Sequence, residues 1–292
     1  MSDKVIFKRV AIAGVGLIGG SLALAGKQAG IFDTVIGSGR GKANLDVAMR
    51  LSIVDEVTFD LAEAARGADL FFVSTPVESI SWVIQRVAKH LPDGCVITDG
   101  GSVKGAIVSE LERELPDRLH FVGGHPVAGT EKTGASAAFA ELFHNHYTVL
   151  TPTEKTNKEA LAKVKAMWEA AGSIVVTMSP EEHDNTMAVI SHMPHLAAFA
   201  LMETVAWADQ DGGMRRFAAG GLKDTTRIAA SDPVMWRDIF SMNKKALLDS
   251  LSRYQQSLDG FRQSIEAGDF DEIAGRIERV RKIRQAMESD DI

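Results

Sequence analysis

The stretch Val10–Gly20, VAIAGVGLIGG, decides the fold of this chain. A short β-branched run ends there in the pattern Gly-x-Gly-x-x-Gly, and an apolar helical pattern follows directly. Gly14 permits a tight turn from strand to helix, Gly16 lets the backbone approach a pyrophosphate, and Gly19 lets the helix pack closely on the strand. Because the free N–H groups of a helix N-terminus attract phosphate, the stretch predicts a dinucleotide-binding unit rather than an unliganded turn.

The turn after the second predicted strand bears on the choice between NAD and NADP. An acidic residue that binds the ribose of NAD usually follows about 20 residues after the glycine turn. Here Thr34–Ile36 leads instead into Ser38–Lys42, SGRGK. Arginine and lysine suit a 2′-phosphate, because arginine can bind it through paired hydrogen bonds. We expect NADP to be favoured over NAD; a solvated basic turn without a ligand is the alternative.

Cofactor contacts are predicted in three segments. Besides the glycine turn and the basic turn, the end of the strand Asp69–Ser74 should open beside the cofactor, since ligands bind at the carboxyl ends of parallel strands. The predicted cofactor-binding residues are Gly14, Gly16, Leu17, Ile18, Gly19, Ser38, Arg40, Lys42, Ser74, Thr75 and Pro76.

Composition sets the class of protein. The 292 residues are 45% hydrophobic and 24% charged, as in an ordinary globular protein of two domains. The net charge of −7 argues against nucleic acid or an anionic membrane as a partner. Cys95 is the only cysteine, which excludes an intrachain disulfide. Since Met1–Lys4 has no signal-peptide core and no window resembles a membrane span, we expect a cytoplasmic protein.

Residues 1–178 are assigned to a dinucleotide-binding domain, because strand-like and amphipathic helical runs alternate there. The strand-like runs are Arg9–Ala13, Thr34–Ile36, Asp69–Ser74, Cys95–Thr98, Leu119–Val122, Tyr147–Leu150 and Ile174–Thr177. Such alternation predicts a doubly wound, mostly parallel, Rossmann-like α/β sheet with helices on both faces.

Residues 179–292 are assigned to an all-helical domain. Ser179-Pro180 followed by two glutamates is a typical helix start. Helical patterns then run over Glu181–Trp207, Trp236–Glu266 and Asp271–Ser289 without strand-like alternation. This array is so long and apolar that one nucleotide domain cannot cover its apolar surface, so we expect a homodimer through it.

Several polar residues could carry chemistry. Ser102 follows a strand and could cap the next helix or point into the cleft. His125, after the next strand, suits acid–base chemistry, with loss of activity expected near its usual pKa of about 6.5. His192 and His195 lack a third ligand motif, so no metal site is predicted. Arg227 could clamp a carboxylate or form a surface ion pair.

Together these segments resemble the prephenate/arogenate dehydrogenase family, also called cyclohexadienyl dehydrogenases. The resemblance covers nearly the whole chain and rests on Gly14–Gly20, Asp99–Lys104, Gly124–Glu131, Glu182–Asp184, Ser191–His195, Asp224–Ala229 and Trp236. It implies an N-terminal nucleotide domain, a helical dimerisation domain, and NAD(P)-dependent oxidative decarboxylation of prephenate or arogenate in tyrosine biosynthesis. The chain departs from the family at Gly39, where NAD-using members often carry Asp.

The resemblance also implies residue roles. His125 would be the catalytic base, Ser102 its orienting partner, and Arg227 the clamp for the ring carboxylate. The other implied substrate-binding residues are His195, Thr130, Glu131, His183, Asp184 and Trp236.

Two other functions are weighed against this one. A two-domain dehydrogenase of the β-hydroxyacid type would need a catalytic lysine, for which Lys223 is the only candidate, and it would leave His125 unexplained. A non-catalytic NADP-binding redox sensor would need no convergent His, Ser and Arg side chains.

Overall fold

The computed structural model describes residues 5–130 and 132–289, and its contacts divide the chain into two units, one up to Lys244 and one from Lys245. At the centre of the first unit is a six-stranded parallel sheet. Its strands are β1 (Phe7–Ala13), β2 (Phe32–Ser38), β3 (Glu56–Thr58), β4 (Leu70–Val73), β5 (Val96–Asp99) and β6 (His120–Val122). The strand order β3-β2-β1-β4-β5-β6 is the doubly wound one, with its reversal point between β1 and β4.

Helices connect these strands and cover both faces of the sheet. They are α1 (Leu17–Ala29), α2 (Lys42–Arg50), α3 (Leu61–Ala65), α4 (Ile80–Val87) and α5 (Gly105–Glu114). Phe71 and Phe72 in β4 are both fully buried, but they belong to different hydrophobic cores. Successive side chains of a strand point to opposite faces, so one apolar run supplies both cores.

A second sheet of three strands follows. It contains β7 (Gly124–Pro126), β8 (Tyr147–Leu150) and β9 (Ile174–Thr177), with α6 (Lys158–Ala170) between the last two. The strand β7 pairs antiparallel with β8, whereas β8 and β9 are parallel. The sequence predicted β8 and β9 with their observed bounds. It missed β7 and β3, because three-residue strands, one of them Gly-His-Pro, carry no alternating pattern.

The region after β9 contains helices and connecting turns but no strand among its described residues. It contains α7 (Pro180–Met187), a π-helical turn (Ala188–His192), α8 (Met193–Ala208), α9 (Gly220–Thr226) and α10 (Pro233–Met242). The predicted helix start is confirmed, since the Ser179 hydroxyl accepts a hydrogen bond from the Glu182 N–H at 3.1 Å. The π-helical turn interrupts the run predicted as one helix, and such turns are frequent at functional sites.

Contacts place the division of the chain after Lys244, not after residue 178. Trp236 and Ile239 of α10 belong to the same hydrophobic core as Phe71 of β4, so α10 is part of the first unit. This clustering of contacts does not test the predicted domain boundary at 178/179, which stays a prediction. The second unit consists of α11 (Lys244–Ala267), apart from its first residue, and α12 (Phe270–Ser289). Within residues 5–130 and 132–289, no helix is long and apolar enough to cross a membrane.

Candidate active site

A cavity of about 1050 Å³ opens where the carboxyl ends of β1 and β4 separate. Two backbone hydrogen bonds fix its floor, from Gly14 N to Ser38 O and from Ser74 N to Ala13 O, each 2.8 Å long. The predicted cofactor residues that line it are Gly14, Gly16, Ser38, Arg40, Ser74, Thr75 and Pro76. The cavity therefore lies at the strand-order reversal point, where doubly wound sheets bind nucleotides.

The three motif glycines have different spatial constraints. Gly14 has a φ of 96°, and a Cβ there would lie 2.6 Å from the Ser74 carbonyl oxygen. A Cβ on Gly19 would lie 2.2 Å from the Gly14 carbonyl oxygen, whereas one on Gly16 would meet nothing within 4 Å. No side chain caps the N-terminus of α1. Open space beside an uncapped helix N-terminus fits a pyrophosphate.

Two predicted contacts from this helix can only be made by the backbone. Leu17 and Ile18 pack their side chains against a hydrophobic core and do not line the cavity. Their contribution to phosphate binding would come from N–H groups in the first turn of α1.

The basic turn is only partly directed at the cavity. Arg40 is exposed and lines it, but Lys42 does not, because its ammonium pairs with Asp46 at 2.9 Å one helical turn away. The Ser38 hydroxyl is buried and has no hydrogen-bond partner among the described residues. A Cβ on Gly39 would make only an ordinary contact, 3.7 Å from Leu45 Cδ2. Arg40 is thus the cation that the structure offers to a 2′-phosphate in this turn.

Part of the cavity wall was not predicted from the sequence. The additional residues include Asn44, Phe59, Trp82, Arg86, Val234 and Asp238. Phe59 and Trp82 are more than half exposed, and the Arg86 guanidinium lies 5.2 Å from the centre of the Trp82 ring. The i,i+4 spacing of Trp82 and Arg86 in α4 was the only local signal, since the wall is assembled from segments far apart in sequence.

A second cluster of polar side chains centres on His125 in β7. His125 Nδ1 lies 2.8 Å from His183 Nε2, and His183 Nδ1 lies 2.8 Å from Asp184 Oδ1. The Asp184 carboxylate also accepts hydrogen bonds of 2.8 Å from the backbone N–H groups of Lys104 and Gly105. Asp184 therefore caps the N-terminus of α5 and anchors a chain of hydrogen bonds that ends at His125.

This chain of hydrogen bonds determines which nitrogen of each imidazole carries the proton. An ionised carboxylate can only accept, so His183 Nδ1 donates to Asp184. The Nε2 of neutral His183 must then accept, so His125 Nδ1 donates to it. The remaining nitrogen of His125, Nε2, carries a free lone pair, as a general base requires.

The protonation states support this assignment. Burial lowers the pKa of His125 well below 6.5, and positive charge on His183, Lys104 or His192 would lower it further. Burial also lowers the pKa of His183, although its hydrogen bond to Asp184 opposes the shift. Hydrogen bonds from His183 and the α5 backbone outweigh the effect of burial and lower the pKa of Asp184. The loss of activity on the acid side is therefore expected at a pH well below 6.5, and not near 6.5 as expected from the sequence.

The surroundings of Ser102, His183 and Asp184 bear on their predicted roles. Ser102 is partly buried and makes no hydrogen bond to any described residue, and α5 begins after Lys104 without a serine cap. The partner of the His125 Nδ1 atom is His183 instead. His183 is fully buried and Asp184 is nearly so, and both lie behind His125 in the hydrogen-bond chain; their contact with a substrate stays a prediction. A catalytic role for Ser102 stays a prediction.

His195 and Arg227, two predicted substrate-binding residues, lie in the helical region. The His195 ring stacks on Trp236, with centroids 3.8 Å apart, and its Nδ1 lies 2.9 Å from the Ser191 carbonyl oxygen. Its Nδ1 must therefore donate, which leaves Nε2 free. Arg227 is exposed and pairs with no carboxylate among the described residues, so the surface ion pair weighed for it is not formed. Its charge adds to burial in lowering the pKa of His195.

Other candidate residues have separate surroundings. His192 Nδ1 accepts a hydrogen bond from Asn243 at 3.1 Å, and burial lowers the pKa of His192 to about 4. Among the described residues, no group of three ligating side chains could hold a metal ion. Thr130 is exposed and accepts a hydrogen bond from Lys132 N, and Glu131 lies outside the described residues. Lys223, the lysine that a β-hydroxyacid dehydrogenase would need, is exposed on α9.

Two family models match the chain in sequence. Residues 22–177 match the prephenate dehydrogenase nucleotide-binding domain, and residues 179–279 match the prephenate dehydrogenase dimerization domain. The chain belongs to the prephenate dehydrogenase family. It is therefore an NAD(P)-dependent dehydrogenase of the family that carries out oxidative decarboxylation in tyrosine synthesis. Neither alternative function is favoured.

Individual relatives agree with this assignment. The chain is 37% identical to the cyclohexadienyl dehydrogenase of Zymomonas mobilis, over 98% of both chains. It is 35% identical to the prephenate dehydrogenase of Bacillus subtilis, over 95% of this chain and 76% of the relative. The Aquifex aeolicus prephenate dehydrogenase, solved with hydroxyphenyl propionate and NAD+, superposes with a TM-score of 0.91 at 35% identity, covering 98% and 99% of the two chains. Synechocystis arogenate dehydrogenase gives 0.81 at 31% identity, covering 95% and 99%.

The glycine geometry yields a test of the cofactor site. We expect Gly16→Ala to fold like the wild type, because its Cβ enters open space, but to bind the dinucleotide at least about tenfold more weakly, ~1.4 kcal/mol. Gly19→Ala is the matched control: its Cβ meets backbone, so it should lower the melting temperature without ligand. Calorimetric titration and thermal unfolding measure the two effects. Wild-type cofactor affinity in Gly16→Ala would show that no phosphate approaches this residue.

Proposed function

We propose that His125 is the general base that takes the proton of the ring hydroxyl as prephenate or arogenate is oxidised. The hydrogen-bond chain from Asp184 through His183 carries this proposal, because it leaves a lone pair at His125 Nε2. A general base must be unprotonated at working pH, and the lowered pKa of His125 meets that condition.

The residues of the site account for each proton transfer of the reaction. A bound nicotinamide supplies the hydride acceptor for C4 of the substrate ring. His125 Nε2 takes the hydroxyl proton as the C4 carbonyl forms, and the His183 lone pair stabilises the resulting imidazolium. The bond between C1 and its carboxylate then breaks, CO2 leaves, and the electron pair makes the ring aromatic. The phenolate oxygen recovers the proton from His125, so proton and electrons balance.

Arg227 is proposed to hold the ring carboxylate. It is exposed and lacks an ion-pair partner within the described residues, and its charge lowers the pKa of His195. A guanidinium offers a planar pair of donors that matches a carboxylate. His195 Nε2 is free for a second substrate contact beside Trp236. Thr130 and Glu131 remain proposed substrate-binding residues, and Ser102 remains a proposed catalytic residue.

Replacement of the base tests the central proposal. His125→Asn should lower kcat by about two to four powers of ten while leaving cofactor affinity unchanged. His183→Leu should also lower kcat, because His125 loses the acceptor that fixes its tautomer. His120→Asn, a histidine at the amino end of β6, serves as control and should retain wild-type kcat. Turnover of His125→Asn within threefold of wild type would rule out His125 as the base.

We propose a modest preference for NADP over NAD. Gly39 places no carboxylate near the 2′-position, and exposed Arg40 lines the cavity. Lys42 adds little, because it pairs with Asp46. A single exposed arginine is screened by salt, so a preference of about tenfold, ~1.4 kcal/mol, is expected.

Kinetics with both cofactors and both substrates test this preference. The absorbance of the reduced nicotinamide is followed with prephenate and arogenate, each with NAD and NADP. Gly39→Asp should fit, since its Cβ meets only Leu45 at 3.7 Å, and should raise KM for NADP. Arg40→Ala should do the same, whereas Lys42→Ala is the matched control. A wild-type preference for NAD above tenfold, unchanged by Gly39→Asp, would contradict the proposal.

We propose that the chain forms a homodimer through its helical region. The match to a dimerization domain supports this, as do large exposed apolar side chains in α8, α11 and α12. Trp207, Leu258, Phe270 and Ile283 are between 49% and 68% exposed. Apolar surface of this extent commonly marks an interface between proteins. Light scattering should give about twice the chain mass of 31.5 kDa, and a mass near 31.5 kDa at micromolar concentration would contradict it.

A further inference from the structure

We infer that the buried Asp99–Lys104 ion pair is a positioning element for His125, acting both on the strand that carries the base and on the hydrogen-bond chain behind it. This inference rests on the proposed role of His125 as the general base. Neither Asp99 nor Lys104 was among the candidate site residues of the sequence.

The first connection is through the backbone beside the base. Both side chains of the pair have 0% exposure. Lys104 Nζ contacts Asp99 Oδ2 and donates to the Gly124 carbonyl oxygen at 2.9 Å. Asp99 Oδ1 accepts from Gly124 N at 3.1 Å, and Oδ2 accepts from Gly101 N at 2.9 Å. The pair thus binds both backbone polar groups of Gly124, the residue immediately before His125.

The second connection runs through Asp184. The backbone N–H of Lys104 donates to Asp184 Oδ1, which also binds His183, the partner of His125. Lys104 therefore contacts both supports of the base: its side chain holds the β7 backbone, and its main chain holds the end of the imidazole chain. A shift of Lys104 would change the position of His125 relative to His183.

Electrostatics distinguish this pair from an ordinary structural contact. The charged and titratable groups around His125 are His183 and Asp184 on α7, His192 on the π-helical turn, Asp99 at the end of β5, and Lys104 before α5. The Lys104 charge adds to burial in lowering the pKa of both His125 and His183, whereas Asp99 raises that of His183. Removal of the cation and removal of the anion should therefore shift the pH profile in opposite directions.

A buried ion pair is also a poor choice for stability alone. The desolvation of two charges commonly offsets their attraction, and apolar replacements of similar volume are often as stable. Its position between Gly124 and Asp184 is consistent with a catalytic rather than a purely structural reason for the charges.

The experiment compares kcat and kcat/KM against pH for Lys104→Met, Asp99→Asn and the double variant. Lys27→Met is the matched control, because Lys27 Nζ likewise binds a carboxylate, Asp55 at 2.7 Å, and a carbonyl, Ser52 at 3.1 Å, away from His125. Cofactor affinity and melting temperature are measured for each variant. His125→Asn defines which acidic limb of the profile belongs to the base.

Lys104→Met should lower kcat by about ten- to a hundredfold through misplacement of the base, with cofactor affinity near wild type. Its acidic limb should move to higher pH by at least about half a unit, and that of Asp99→Asn to lower pH. The double variant should also have a lower kcat, but the acidic limb of its pH profile should lie near the pH of the wild-type limb. Lys27→Met should lower only the melting temperature.

Acidic limbs that stay fixed, or that move in the same direction in Lys104→Met and Asp99→Asn, would overturn the inference and leave the pair a structural contact. If Lys104→Met does not fold, the double variant decides, because it leaves neither buried charge unpaired; wild-type turnover in the double variant would overturn the inference. Wild-type turnover in His125→Asn would instead disprove the base assignment, so the two failures are distinguishable.

Discussion

The carboxylate of Asp184 is the contact on which the chemistry of this site depends. It accepts two N–H groups at the start of α5 and one from His183, and so joins α7 to the nucleotide-binding sheet. Negative charge at a helix N-terminus is stabilised by the helix dipole. Because Asp184 stays ionised, it can only accept, and this fixes both imidazoles behind it. One capping interaction therefore determines the fold at this junction and the tautomer of the base.

The helix α10 links the cavity at the strand-order reversal point to the stacked rings of His195 and Trp236. Trp236 stacks on His195, while Val234 and Asp238 of the same helix line the cavity. Trp236 is also 5% exposed and part of the core that contains β4. A rigid shared helix can hold the two reactants of a hydride transfer in a fixed geometry, which is where proximity contributes most to the rate.

The sequence predicted those features that depend on local chemistry. The glycine turn, the bounds of β8 and β9, the cap at Ser179 and the place of His125 after a strand all follow from neighbouring residues. It missed His183 as the partner of His125 and Asp184 as the acceptor of the Lys104 N–H, because these contacts join residues 58 and 80 positions apart. The family resemblance implied the orienting role for Ser102, whereas the observed partner of His125 Nδ1 is His183 of α7.

The low pKa of His125 has a physical reason in the charge of the substrate class. A cyclohexadienyl substrate brings carboxylates close to the base, and nearby negative charge raises the pKa of an imidazole. A base that began at the usual value of about 6.5 would become protonated on binding and lose its function. Burial lowers the starting value, and the Lys104 charge lowers it further. In the proposed mechanism Arg227 neutralises a substrate carboxylate, which helps His125 to remain neutral when the anion is bound.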